Sequence, residues 1–451
     1  TFCSGDKMNT QLFQEKVYDF NWKNTGAGPL WCHGSSCIAA IEDKVFICGW
    51  ETLEDIPPLN CTRWVLYEKT KSNWNIIFQD QEKTREPSPI CVFKDGRILV
   101  SENPFMLEPE ACQGVALPQV SEFFPPDYKK RRITLPCWSE PVVFVEHSYR
   151  NFSSDSENCE AILFHNKGYD RSYWTFLDET GRWSHCGKLY WVWGHDYPQP
   201  QPTRLCYSNV QLKNRAVYSF GTSDIIEPIP EWRQYKRKIT AREWDYDLRR
   251  VFFSFTPDIT KEPFRYWVEI SNREKTAGNA RNLDLYVDNN GIIHLLWMEK
   301  SCDERLREAF FPDEILNYSI EYAQLKEQKV LERKTILSFS EQHPEQYPCG
   351  MKNINMLWGR FHITRKGKLL VFTSIYGKDE GDNTVAENYL ISLDSTGNIN
   401  DRKVVDFKKP FTTFHTASIR NGYLPLNSIH IYGHISKPDN EMWYGRIDVE
   451  D

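Results

Sequence analysis

One pattern recurs along this chain and restricts what it can fold into: a short apolar run, a polar turn, and a second apolar run. This is the signature of a β-hairpin. It occurs at residues 36–50 around Glu42-Asp43-Lys44, at 90–100 around Lys94-Asp95-Gly96-Arg97, and at 173–183 around Asp178-Glu179-Thr180-Gly181. It returns at 283–297 around Asp288-Asn289-Asn290-Gly291, at 361–372 around Arg365-Lys366-Gly367-Lys368, and at 389–405 around Asp394-Ser395-Thr396-Gly397. Helix signals are scarce. Residues 303–310 and 313–322 have room for a turn or two, separated by Pro312, which cannot continue a helix.

Units of some tens of residues, each built of hairpins, predict a radial array. The expected fold is all-β, a β-propeller of four-stranded blades taking up residues 1–451 as one domain. Inner strands beginning near His33, Arg85, Ala161, Tyr207, Arg281, Arg360 and Phe414 give about seven blades, and the degenerate repeats leave six or five open. Segment 442–447 is expected to pair with residues 17–20 and close the ring, removing exposed strand edges. A two-sheet sandwich with extensions is the alternative.

The chain contains 16 Trp, 22 Tyr and 26 Phe. Such side chains fill a core and, when partly exposed, offer flat platforms on which a sugar ring stacks. Basic and acidic residues, 55 against 62, interleave to a net charge of −7, so the basic face that nucleic-acid binding needs is missing. No stretch reaches the roughly 20 apolar residues of a membrane helix. The 13 cysteines read either as disulfides of an oxidising compartment or as small buried hydrophobes. Cys48 and Cys91, inside apolar runs, fit the second reading. Cys32-x4-Cys37 is the tightest pair and lacks the second half of a zinc site, so no metal site is expected. The chain begins Thr1-Phe2-Cys3-Ser4 with neither an initiator Met nor a signal sequence. The expected address is secreted or periplasmic, with the leader removed.

Arg85-Glu86-Pro87, followed by the hairpin 90–100, resembles the Arg-x-Pro blade opening of sialidase-like propellers. Trp358-Gly359-Arg360-Phe361-His362-Ile363-Thr364 is similar to a second blade of this kind. The turns at 178–183, 288–297 and 394–397 resemble worn Asp boxes. Gly291-Ile292-Ile293-His294-Leu295-Leu296-Trp297 resembles the Gly-x-x-His strand of the BNR-repeat branch, which includes seven-bladed polysaccharide lyases and glycosidases. The resemblance implies an axial pocket in which an arginine grips a substrate carboxylate. It stops short of the sialidases themselves, because no Asp box keeps its full spacing. Where a sialidase supplies its acid Asp, this chain has Glu102, Glu108 and Glu110.

Propeller inner strands deliver residues from every blade to one end of the axis, so polar residues at strand starts are the candidates. Arg85 offers a planar fork for a carboxylate, and Glu86 beside it is a counter-ion or a catalytic acid. Thr240-Ala241-Arg242-Glu243-Trp244-Asp245-Tyr246-Asp247 is the densest cluster. If extended, it sets Arg242, Trp244 and Tyr246 on one face and Glu243, Asp245 and Asp247 on the other; a salt-bridged outer strand is the plainer reading. Arg281 and Asp284 open another blade. Arg360 and His362 share a face, and His362 and His415 are candidate acids or bases, although a lone strand histidine is more often simply packed. His33, His165 and Tyr207 complete the substrate-binding candidates. The stripe Tyr190-Trp191-Val192-Trp193 is a sugar-stacking lip or core.

The motifs of nucleotide chemistry, serine hydrolysis and zinc proteolysis are missing. A glycan substrate and an enzyme are expected, because arginine, carboxylate and histidine recur at strand starts. A glycoside hydrolase needs two carboxylates about the scissile bond, drawn from Glu86, Glu243, Asp245 and Asp284. A polysaccharide lyase needs an arginine against a uronate and a His or Tyr to remove the neighbouring proton. That set comes from His33, His165, Tyr207, Arg242, His362 and His415. The hydrolase stands slightly ahead, and a non-catalytic binding propeller is the third reading. No cofactor is expected. The scattered histidines have no ligand spacing, yet a propeller gathers ligands from several blades, which leaves a divalent cation open.

Overall fold

The computed structural model describes residues 8–450 apart from Asn24, Pro109, Glu110, Cys112 and Ser148. Seven four-stranded antiparallel sheets form the blades of a β-propeller. The first strand of each packs against the first strands of its neighbours and so lines the axis. These inner strands are Ile38–Ile41, Ile90–Val92, Arg150–Asp155, Leu205–Lys213, Asn279–Val287, Asn353–Ile363 and Phe411–Thr416, in blades 1 to 7. Blade 7 takes its outermost strand from the other end of the chain: Thr10–Asp19 pairs with Glu441–Val449, from Thr10 opposite Val449 to Asp19 opposite Glu441.

Burial runs from the axis outward, which explains the apolar runs. The second strand of blade 5, Ile292–Lys300, is buried from Ile293 to Glu299, because neighbouring blades cover both of its faces. The outer strand of blade 6, Ile399–Val404, alternates exposed and half-buried residues. The Asp-Gly turns serve the hairpins. Asp288 accepts the backbone N–H groups of Asn290 and Ile292, both at 2.8 Å, and Gly291 takes the left-handed φ of +71° that the turn requires. Asp394 holds Thr396 and Asn398 in the same way.

Three local expectations need correction. Ala161 lies in the second strand of blade 3, Glu160–Lys167, and that blade begins at Arg150. Residues 313–322 form no helix and enter the strand Asn317–Lys326. The turn at 303–310 is real, as helix Glu304–Phe310, but an unexpected helix, Pro230–Thr240, packs against it. The signals for that second helix were present: Pro230 in its first turn, Glu231 there too, and Arg237 and Lys238 in the last turn.

The axis is filled by polar groups. Residues 417–427, after the first strand of blade 7, turn inward, and the carbonyls of Asn421 and Arg420 accept the N–H groups of Val92 and Ser154 at 3.0 Å. Arg420 meets Asp284 at 2.7 Å and donates to the Gly34 carbonyl at 2.8 Å. Asp284 also accepts the Phe361 N–H at 2.8 Å. Arg360 donates to the carbonyl of His33 at 2.5 Å and to that of Leu283. Arg420 and Asp284 are both buried, and breaking a buried pair from one side leaves an uncompensated charge. Arg420→Met should therefore cost about 3–5 kcal/mol of unfolding free energy. Adding Asp284→Asn should recover part of it; an Arg420→Met protein as stable as the parent would contradict this role.

A second device recurs in two blades. His294 Nδ1 lies 2.7 Å from the Tyr322 hydroxyl, and His430 Nδ1 lies 2.8 Å from that of Tyr444. Burial pushes His294 down to about 4 and His430 down to about 3, from an ordinary 6.5. The neutral folded form is therefore favoured, and its stabilisation is complete above about pH 6.5 and lost as the pH falls toward 4. The urea midpoint should drop across that window, and less steeply in a His294→Gln/His430→Gln variant. Identical pH profiles for parent and variant would refute the assignment.

Candidate active site

Irregular register marks the start of four inner strands: between Cys206 and Asn209, Asn282 and Asp284, Ile354 and Met356, and Phe411 and Phe414. Bulges of this kind re-aim side chains. In blade 4 the bulge leaves Tyr207 with a left-handed φ of +56°, a strain of about 1–3 kcal/mol for a non-glycine residue. The Tyr207 ring lies with its centroid 5.0 Å from both Tyr149 and His33, and 6.0 Å from Trp31.

A chain of polar contacts leads away from Tyr207. Its ring packs against that of Tyr149, and the Tyr149 hydroxyl lies 3.1 Å from His147 Nε2. His147 Nδ1 lies 2.6 Å from Glu86 Oε1, and neither of these buried atoms has a hydrogen-bond partner of good geometry. Glu86 is buried while His147 keeps 31% of its side chain exposed, so the chain runs from a buried carboxylate through a partly exposed imidazole to two half-buried phenols. Burial pushes both phenols far above the usual tyrosine range, and both are therefore protonated at rest.

Arg281 lies close enough to His33 for its charge to act on the imidazole. Its Nε is buried without a hydrogen-bond partner, and one terminal nitrogen lies 3.6 Å from the Met356 sulfur. No carboxylate of the described residues lies within 4.0 Å of it. The neighbouring arginines differ. Arg85 is held by the Thr25 carbonyl at 2.7 Å and by Glu146 at 3.3 Å. Arg204 pairs with Asp224 at 2.9 Å and stacks on Tyr169 and Tyr246 at 4.4 and 5.3 Å. Tyr169, Tyr190, Trp193 and Tyr246 are all exposed and give this end of the ring its aromatic surface.

The structure thus brings together Glu86, His33, Tyr207 and Arg281, with Arg85 at the margin. The other candidates lie elsewhere. Asp284 and Arg360 belong to the axis, and burial lowers Arg360 to about 10. His362 is buried, its Nε2 2.7 Å from the Leu426 carbonyl. His165 is buried between Trp138 and Phe144 without a hydrogen-bond partner. His415 is buried and accepts the Cys37 N–H at 3.0 Å. The cluster after Thr240 is not extended: the helix ends there, Ala241 has φ +56°, and only Tyr246–Asp247 forms a strand. Arg242, Glu243 and Trp244 are exposed. Glu243 pairs with Arg237 at 2.5 Å, and Asp245 pairs with Arg305 at 3.0 Å. Every carboxylate named for hydrolysis is therefore engaged: Glu86 by His147, Glu243 and Asp245 by arginines, and Asp284 by Arg420. Glu102 pairs with Arg131 at 3.0 Å, and Glu110 lies outside the described residues. Sequence reading missed His147, Tyr149 and Arg204, which precede strands instead of belonging to them. The one available signal was His147-x-Tyr149 directly ahead of a buried Arg150.

A groove of about 450 Å³ opens at the opposite end of the axis, lined among others by Asp155, Lys213, Asn214 and Arg365. Two of its polar groups are held by neighbours: Lys213 Nζ donates to the Asp288 carbonyl at 2.7 Å and Asp155 accepts the Asn214 N–H at 2.7 Å. Among the described residues no helix is long and apolar enough to cross a membrane.

No family model and no curated protein matches the sequence. Solved structures match the fold. A polysaccharide lyase of family PL25, an ulvan lyase bound to -[GlcA(1-4)Rha3S]-, superposes with a TM-score of 0.55 at 10% identity, over 96% of this chain and 95% of the other. The polysaccharide lyase Uly1 superposes with a TM-score of 0.52 at 11% identity, over 93% of this chain and 90% of the other. At such identities the likeness is one of fold: a seven-bladed propeller similar to those of these lyases.

Proposed function

We propose that the protein is a polysaccharide lyase that cleaves a uronate-containing glycan by β-elimination. The observation that carries this reading is the run of contacts Glu86–His147–Tyr149–Tyr207–His33, with Arg281, an arginine without a carboxylate partner among the described residues, acting on the same His33 imidazole. The similar fold of lyases, one of them bound to a glucuronate-containing oligosaccharide, supports the substrate class.

In this mechanism Arg281 takes the uronate carboxylate in its planar fork, which spreads the negative charge and acidifies the adjacent C5 proton. Tyr207 passes its proton through Tyr149 to His147 Nε2, and the imidazolium that forms is held by Glu86. The tyrosinate then takes the C5 proton as the C4–O4 bond breaks and the C4=C5 double bond forms. Tyr207, now a phenol, gives that proton to the departing O4. His147 returns its own proton through Tyr149 after product leaves, so no proton is consumed. Exposed Tyr169, Tyr190 and Trp193 supply stacking surface for the sugars on either side. The hydrolase reading lacks an open carboxylate pair, and this separates the two.

On a glucuronate-rich sulfated polymer, the ultraviolet absorbance of unsaturated uronate should rise with time. Tyr207→Phe should lower kcat about 10²–10⁴-fold, and Arg281→Ala should lower kcat/KM about 10²–10³-fold. Arg242→Ala, at an exposed position away from the site, should leave turnover unchanged. Unaltered turnover in Tyr207→Phe and Arg281→Ala together would remove the assignment.

A further inference from the structure

Independently of the lyase reading, three soft-metal donors meet where the ring closes. Cys32 and Cys37 precede blade 1, and His415 belongs to the inner strand of blade 7. The two sulfurs and a ring nitrogen of His415 all lie within 4.8 Å of one another. The two sulfurs are 3.4 Å apart. That is well beyond the roughly 2.05 Å of a disulfide bond. It is close to the roughly 3.8 Å that two thiolates take on one tetrahedral zinc, given Zn–S bonds of about 2.3 Å.

The surroundings also lack something. Cys37 and His415 have no solvent exposure, and His415 Nε2 has no hydrogen-bond partner. His415 Nδ1 accepts the Cys37 N–H at 3.0 Å, which holds the ring against Cys37, and zinc binding exchanges this hydrogen bond for a Zn–N bond. We propose that Cys32, Cys37 and His415 bind a zinc ion that clamps blade 7 to the segment entering blade 1. Binding replaces two S–H bonds by two Zn–S bonds and releases two protons. Two thiolates and one divalent cation then sum to zero charge, which suits a buried position. The Cys-x4-Cys half-site visible in the sequence gains its other half from a residue 378 positions away, delivered by ring closure.

Metal analysis of the full-length protein, purified without chelator or reductant, tests this. About one zinc per chain is expected, falling about tenfold or more in Cys32→Ser and in Cys37→Ser. Cys159→Ser, remote from the cluster, should keep its zinc. Because a ligand variant that unfolds loses metal for a trivial reason, parent protein grown with cobalt supplies a second readout. It should show the near-ultraviolet thiolate-to-cobalt charge-transfer band. Parent protein without zinc and without that band overturns the proposal, whether Cys32 and Cys37 then map as a disulfide or both take up an alkylating reagent.

Discussion

Arg420 reaching into the axis to meet Asp284 is the contact on which the rest of this ring depends. One guanidinium from blade 7 joins a carboxylate of blade 5 and the Gly34 carbonyl ahead of blade 1, and the carboxylate in turn holds the Phe361 N–H of blade 6. A propeller has no central core of its own. Its blades bury their faces against one another, and whatever stands on the axis sets their spacing. Here that position is taken by charged and polar groups, each with a partner on another blade. Removing any one of them is expensive, because the partner stays buried.

A filled axis has a functional consequence. The inner strands cannot surround an open channel at mid-height, so reactive groups gather where the strands begin. There the register breaks repeatedly, and the bulge at Cys206 to Asn209 turns Tyr207 toward Tyr149 and His33. The rigid hub below and the strained bulge above belong to one arrangement. Energy from packing holds Tyr207 in a backbone state it would otherwise leave, and the state places its hydroxyl at the end of a chain that begins with a buried carboxylate.

Much of the fold was legible in the sequence, because hairpin turns and apolar runs are local signals. Asp288-Asn289-Asn290-Gly291 specifies its turn without reference to the rest of the chain. Helix Pro230–Thr240 is hard to read because Pro228, Pro230 and Trp232 together look like a loop, although its terminal charges fit a helix. The site was legible in part. Glu86, Tyr207, His33 and Arg281 stand at strand starts, where position along the chain predicts the axial end. His147, Tyr149 and Arg204 lie in connections with no periodic pattern, and their meeting is set by tertiary structure alone. Asp284, Arg360 and His415 show the opposite error: strand position was right, but depth along the axis turned candidate catalysts into supports.

We propose that this end of the ring eliminates and does not hydrolyse, since its carboxylates are held by cationic partners while Arg281 has no carboxylate partner among the described residues. Depolymerisation of a glucuronate-rich polymer in oxygen-18 water, followed by product mass spectrometry, tests this most directly. Elimination breaks the C4–O4 bond without water, so unsaturated fragments with no label are expected. Saturated fragments carrying one labelled oxygen per cleavage would contradict it.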